Sequence, residues 1–332
     1  GVVLIEDVAT NVIVDTAGYG SVLSARELMF AATDTVTVRD GSQLAAYGDV
    51  RNDAVVNYSV TGDGALLRLG ADVATLTRSG TAGLTGDLIV EAGAELSTSY
   101  AAIFDATKNN QVFGTLTFED GAGNPVLGGA LTLGAERISF TGTGATAPIE
   151  TPGLVFDQVQ LDNFSALDEL NFTSYSGFDF YGAPVLGALD TDQAPLLDNL
   201  TLQGGALNSY VGAGGVATIQ AASFVFHNPG AAVDTSAAPA NAGELQINAT
   251  QAIFGAGDKA IRGFETVTVN ADEIVARGVI ESGSTLTNTT SVSGDVVLNA
   301  GRITGETGAS QTLSASGVLT TLQNQLASVL AP

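Results

Sequence analysis

The sequence predicts an all-β fold, a right-handed parallel β-helix. Three observations carry this expectation: a composition of short strands and tight turns, a recurring strand-corner-strand motif, and a spacing of that motif close to one solenoid turn. Of 332 residues, 45% are hydrophobic and 14% charged. That is enough apolar material for a continuous core and too little charge for a disordered chain. With 41 glycines, one Met, no Trp and abundant Thr, Ser, Ala and Asn, the chain reads as many short strands joined by many turns, without long helices.

The motif is aliphatic, any, Ala, any, any, apolar. It stands at Leu23/Ala25/Leu28, Leu133/Ala135/Ile138, Ile219/Ala221/Phe224, Ile247/Ala249/Ala252, Val269/Ala271/Ile274 and Leu298/Ala300/Ile303, with a looser copy at Val90/Ala92/Leu96. Period-2 alternation turns one face of each short strand inward, and Ala at the corner lets the chain change direction without a bulky side chain meeting the rung below. The alanines of the last four copies fall 28, 22 and 29 residues apart, near one solenoid turn plus a variable loop. Thr35-Val36-Thr37-Val38 before Asp40-Gly41, Leu66-Leu67-Arg68-Leu69 before Gly70, Leu116-Thr117-Phe118 before Asp120-Gly121 and Leu200-Thr201-Leu202 before Gly204-Gly205 share the same grammar. Strands this short favour stacked sides of a helix over the longer strands of a sandwich.

One segment spanning 1–332 is expected, with loop excursions near 99–112 and 182–199. Loops on such a scaffold are where binding concentrates. Residues Leu319 to Leu326 fit either a short amphipathic helix or a last rung.

Eleven Lys and Arg against 35 Asp and Glu give a net charge of -24, which repels phosphate backbones and anionic lipid headgroups, so nucleic acid is excluded as an expected partner. No apolar run is long enough for a transmembrane helix, and no membrane insertion is expected. The absence of cysteine fits an exported bacterial protein that crosses a periplasm unfolded, and an intracellular protein can lack cysteine as well. The opening Gly1-Val2-Val3-Leu4-Ile5-Glu6-Asp7 has no basic n-region; the chain is expected to be an interior piece of a larger protein.

Catalytic chemistry finds little footing. A β-helical polysaccharide hydrolase needs converging carboxyls, one to protonate the leaving oxygen and one to activate water. The single histidine, His227, comes after a strand in Phe226-His227-Asn228-Pro229-Gly230 with no evident partner and reads as a structural or exposed turn residue. Asp190/Asp192 and Asp162/Asp168/Glu169 are the closest carboxylate groupings, but a calcium loop supplies six or more oxygens at defined spacing, so these read as solvated acids. The two lysines, Lys108 and Lys259, and nine scattered arginines form no cluster. Gly212-Ala213-Gly214-Gly215 and Gly121-Ala122-Gly123 lack the Lys-Ser/Thr ending of a phosphate loop and read as turns. No cofactor or metal is expected. Six Asn-x-Ser/Thr sequons, at Asn57, Asn163, Asn171, Asn199, Asn248 and Asn288, are what a chain rich in these residues contains by chance.

Aromatic residues gather between 156 and 181: Phe156, Phe164, Phe172, Tyr175, Phe178, Phe180 and Tyr181. The phenylalanines read as rings stacked inside the coil. Tyr175 and Tyr181, whose hydroxyls favour a wet edge, are the candidate surface binding patch.

Gly62-Asp63-Gly64-Ala65-Leu66-Leu67-Arg68, Thr77-Arg78-Ser79-Gly80, the run from Ser174 to Gly182 and Leu298-Asn299-Ala300-Gly301-Arg302-Ile303-Thr304-Gly305 occur in this order along one chain. Together they resemble filamentous-haemagglutinin-type large exoproteins, over about residues 20–317. The resemblance implies two-partner secretion through an outer-membrane β-barrel transporter, a location outside a Gram-negative cell or on its outer surface, and a role in adhesion, biofilm formation or display. Neither the family's amino-terminal secretion domain nor a carboxy-terminal toxin is present, which implies a shaft segment. The expected function is structural or adhesive and not enzymatic, with host or matrix carbohydrate or protein as partner. A polysaccharide-degrading β-helix enzyme and a self-assembling extracellular filament subunit are the alternatives.

Overall fold

Short alternating runs bounded by glycine turns become strands throughout. A computed structural model describes residues 2–7, 10–48, 56–148, 153–229, 238–278 and 288–323. The chain is all-β, 59% strand and 4% helix, with a large and mostly parallel sheet. It divides into two compact units: Gly1–Ile138, Glu150–Leu154 and Ala166–Tyr175 form the first, Ser139–Ile149, Val155–Ser165 and Ser176–Pro332 the second.

In the first unit the chain visits three sheets in rotation. Strands β1 (Val2–Asp7), β2 (Asn11–Val14) and β3 (Leu23–Ala25) begin the three sheets, and β4 (Glu27–Ala32), β5 (Thr35–Val38) and β6 (Gln43–Ala46) pair with them in parallel. The chain then detours through β7 (Val56–Thr61), β8 (Ala65–Gly70) and β9 (Ala74–Ser79). Rotation resumes with β10 (Asp87–Val90) and β11 (Glu95–Thr98), then β12 (Ala101–Ala106), β13 (Asn109–Val112) and β14 (Thr115–Phe118), and reaches β15 (Ala130–Thr141). Strands β5, β10 and β13 form one continuous ladder and β6, β11 and β14 another.

The remaining sheet holds an exception to the expected parallel order. Strand β8 takes the third place, between β4 and β12, but runs antiparallel to both, with Leu66 opposite Ala31 and Asp105. The detour delivers the chain to this slot from its far end. Strands β7 and β9 pair with each other and lay Tyr58, Val60 and Leu76 over Met29, Leu66 and Ile103. That cover explains why β8 reads Ala-Leu-Leu-Arg-Leu-Gly without alternation: all six residues are buried. The same holds for β12, buried at every position. Residues 99–112, expected as an excursion because they lack alternation, are thus two strands of the ladder.

In the second unit β16 (Leu154–Phe156), the helix α1 (Gln158–Asn163) and the second half of β17 (Glu169–Tyr181) precede β18 (Val185–Leu186), β19 (Asn199–Gln203) and β20 (Ala206–Tyr210). The long β21 (Val216–His227) follows, and from β22 to β27 long strands alternate with short ones: β22 (Glu244–Phe254), β23 (Lys259–Arg262), β24 (Thr266–Ala276), β25 (Thr289–Val292), β26 (Asp295–Gly305) and β27 (Thr312–Ala315), with β28 (Leu319–Gln323) last. Strands β21, β22, β24 and β26 pair in parallel with Ala221, Ala249, Ala271 and Ala300 in one column. Ile219, Ile247, Val269 and Leu298 form the adjoining column and are all buried. The recurring motif therefore aligns copy on copy. Residues 319–323 continue the ladder against β26; 324–326 lie outside the described residues.

Strands β18 and β19 are two halves of one rung. Leu186 pairs with Ile219 and Asn199 with Ser223, so residues 187–198 are inserted at the corner that β21 turns with Gln220, Ala221 and Ala222. Phe140, Phe156, Phe178 and Phe180 are buried together, with Phe140 and Phe178 near parallel at 6.1 Å between centroids and Phe140 and Phe156 at 6.4 Å.

Ile247 sits in the middle of the aliphatic column. Ile247→Ala is expected to lower the unfolding free energy by about 2–5 kcal/mol, read from urea denaturation; a loss below about 0.5 kcal/mol is incompatible with a close-packed column at this position.

Candidate functional site

Two of the charged groups that the fold withdraws from water, Arg68 and Asp105, lie on strands buried at every position. In the first unit Asp105 accepts from Arg78 Nε at 2.8 Å and from the Tyr175 hydroxyl at 2.6 Å. The Arg78 and Asp105 side chains are both 2% exposed, and Arg78 also donates to the Gly62 carbonyl at 3.0 Å. Burial, then the Asp105 charge, push the Tyr175 phenol well above its ordinary range, and Asp105 holds Arg78 protonated against the burial that opposes its charge. Tyr175 thus works as the third member of a buried charge cluster, with its hydroxyl turned to Asp105.

A second such cluster surrounds Arg68, itself 1% exposed. Its Nε donates to Glu27 at 2.6 Å, its two Nη atoms donate to the Asp72 carbonyl at 3.2 Å, and its guanidinium lies over the Tyr58 ring. Tyr58 donates to the same Glu27 carboxylate. These groups bind strand β8 into its reversed slot.

Tyr181 belongs to the second unit. It pairs in register with Tyr210, and the two rings stack at 4.7 Å with 9° between planes. Tyr210 remains 46% exposed. On the same side of these strands Asp179 accepts from Asn208 Nδ2 at 2.9 Å, and Asn208 Oδ1 accepts from Arg262 Nε and Nη2 at 2.9 and 2.7 Å. Three successive rungs therefore carry a carboxylate, an amide and a guanidinium in line. This arrangement offers an aromatic platform for stacking and no proton-transfer pair.

His227 ends β21, where burial and the positive charges of Lys259 and Arg277 push its imidazole down to about 4. Its Nε2 is buried without a hydrogen-bond partner among the described residues. Lys259, 1% exposed, donates to the Gly255 and Gly257 carbonyls at 2.7 and 3.0 Å and lies over the Phe226 ring; burial brings its amine down to about 8. Sequence reasoning missed this lysine. A Lys opening the run Lys259-Ala260-Ile261-Arg262 carries the signature of a solvated strand end, and only the carbonyls of the Gly255-Ala256-Gly257 turn explain its burial.

The other sequence candidates stand apart. Asp190 accepts from the backbone N–H groups of Asp192 and Ala194 at 2.8 and 2.9 Å, so its carboxylate closes a turn. Asp162 accepts from Gln158 Nε2 at 2.8 Å along α1. Asp168 and Glu169 lie in the first unit, where burial, then the Asp168 charge, raise the Glu169 carboxyl. Among the described residues no cluster of three or more His, Asp or Glu is placed to hold a metal ion, and no helix is long and apolar enough to cross a membrane. No protein-family model, curated protein or solved structure matches the chain.

The buried groups set two outcomes. Between pH 6.5 and about 4 the unfolded chain takes a proton on His227 that the folded chain refuses. Stability falls across that window by up to about 3 kcal/mol and the contribution is flat below it. The difference in urea stability between wild type and His227→Asn, tracked against pH, isolates this slope. Asp105→Asn leaves Arg78 buried without its countercharge and is expected to destabilise by about 3–5 kcal/mol, whereas Tyr175→Phe removes one hydrogen bond and is expected to cost about 1–2 kcal/mol, both read from chemical denaturation.

Proposed function

We propose that the chain is a right-handed parallel β-helical segment of a secreted bacterial surface exoprotein of the filamentous-haemagglutinin type, and that its work is structural: it spaces and presents loops away from a cell. The observation that carries this reading is the in-register stacking of the motif, copy on copy, at Ala221, Ala249, Ala271 and Ala300. The rotation of the chain through three sheets in the first unit supports a coil. Each rung takes its backbone hydrogen bonds from its neighbours, so the segment behaves as a ladder that resists shear along many parallel bonds at once. The surplus of 35 acidic over 11 basic residues keeps such a surface soluble and free of nucleic acid.

The test is to pull the purified chain from its two ends in a single-molecule instrument. A structural coil is expected to unravel rung by rung, each step releasing roughly 70–100 Å of chain for a rung of 22 to 29 residues. Extension of the whole chain in one step at low force counts against a mechanical role.

A further inference from the structure

We propose that the corner insertion at residues 187–198 and the amide column beside it form a binding groove for a neutral oligosaccharide. The proposal stands on this corner alone and does not depend on the handedness of the coil or on where the protein acts.

The groove measures about 320 Å3 and lies between Leu189, Gln193 and Pro195 of the insertion and the corners of two rungs, Asn248-Ala249-Thr250 and Asn270-Ala271-Asp272. Two of its lining residues, Asn248 and Asn270, belong to a row of side-chain amides that continues beyond the groove to Asn299. Asn270 Nδ2 donates to Asn248 Oδ1 at 2.8 Å, and Asn299 Nδ2 donates to Asn270 Oδ1 at 3.2 Å. Asn248 Nδ2 ends the row with its donors unspent among the described residues. Successive amides are separated by one strand spacing, about 4.8 Å, a distance comparable with the length of one hexose residue.

A second observation singles out Gln193. The insertion turn is Asp190-Thr191-Asp192-Gln193-Ala194-Pro195, closed by Asp190 N to Ala194 O at 2.8 Å and by the bridge between Leu189 and Pro195. The first unit contains the same turn at Asp120-Gly121-Ala122-Gly123-Asn124-Pro125, closed by Asp120 N to Asn124 O at 2.9 Å and a bridge between Glu119 and Pro125. The fourth residue is left-handed in both, with φ 81° at Gly123 and 66° at Gln193. Glycine adopts that conformation without strain and glutamine does not. Where the first-unit turn has Gly, the turn that walls the groove carries a strained residue whose exposed amide has no hydrogen-bond partner among the described residues. Strain held at one of two equivalent turns marks the side chain as useful there.

The lining selects the ligand. Amides and the Thr250 hydroxyl both donate and accept, as sugar hydroxyls do, and Leu189, Pro195 and the corner alanines offer an apolar wall for a ring's C–H face. Neither Lys nor Arg lines the groove and Asp272 does, so sulfated, phosphorylated or uronate chains are disfavoured. A peptide adding as a strand has no edge to use, because β22 and β24 are each paired on both sides.

The experiment titrates the full chain with cellotetraose, chitotetraose and mannotetraose, each beside a sulfated or uronate counterpart, by isothermal calorimetry and saturation-transfer NMR. At least one neutral tetrasaccharide is expected to bind, more tightly than its charged counterpart. Gln193→Gly is expected to weaken that binding at least tenfold while melting no lower than wild type, since it relieves the strain at this position. Thr250→Val is expected to weaken it as well, and Tyr181→Ala to leave it unchanged. The proposal is overturned if no neutral tetrasaccharide binds, if charged ones bind better, or if Gln193→Gly binds as wild type does. None of these results alters the force-extension steps, so this inference and the structural reading fail separately.

Discussion

Register is the constraint on which everything else in this protein depends. A β-strand alternates its side chains with period 2, so a slip of one residue between neighbouring rungs moves the apolar set from core to solvent. Ile247 over Ile219 and Val269 over Ile247 hold only because Asn248 meets Asn270 and Ala249 meets Ala271 in the same pairing. The amide row on the outer side and the aliphatic column on the inner side thus enforce one another. An amide out of line loses its partner at the corner, and an isoleucine out of line faces water. The insertion at 187–198 leaves and re-enters at the alanine corner, and the other connections join strand ends, so neither disturbs the register of the columns.

How much of this was readable beforehand depended on whether a strand has one covered face or two. Where one face is wet, as in the runs around Ile219, Ile247, Val269 and Leu298, alternation survives and marks both strand and corner. Where both faces are covered, alternation disappears. Residues 101–106 and 65–70 are buried throughout, and the first of these resembles an excursion for that reason alone. The reversal of β8 left no mark in its own residues, since strand direction is set by where the connecting chain arrives.

Site residues were legible to the extent that their partners were near in sequence. Tyr175 and Tyr181 stood out as aromatics among polar residues, but what each one does is decided at a distance. Asp105 lies 70 residues from Tyr175, and Tyr210 sits a rung away from Tyr181. The buried Arg78, Arg68 and Lys259 were invisible for the same reason. Arg78 is neutralised by a carboxylate and Lys259 is hydrogen-bonded by turn carbonyls, and neither partner can be inferred from local pattern. Such groups fix a single arrangement in a core otherwise built of interchangeable aliphatic residues, since a rung placed elsewhere would strand a charge.

The reversed strand β8 bears on how the molecule comes to be assembled. A chain that winds onto its own growing end lays each rung parallel to the last, and every sheet of the first unit except one is built so that this suffices. At β8 winding fails: the chain must run out through β7, come back against the direction of travel, seat Arg68 on Glu27 and leave through β9 before β12 has a neighbour in this sheet, although β5 and β6 already offer templates to β10 and β11. Two ladders thus run unbroken from the first two rotations into the later ones, and the clasp at β8 is what carries the third sheet across the same gap.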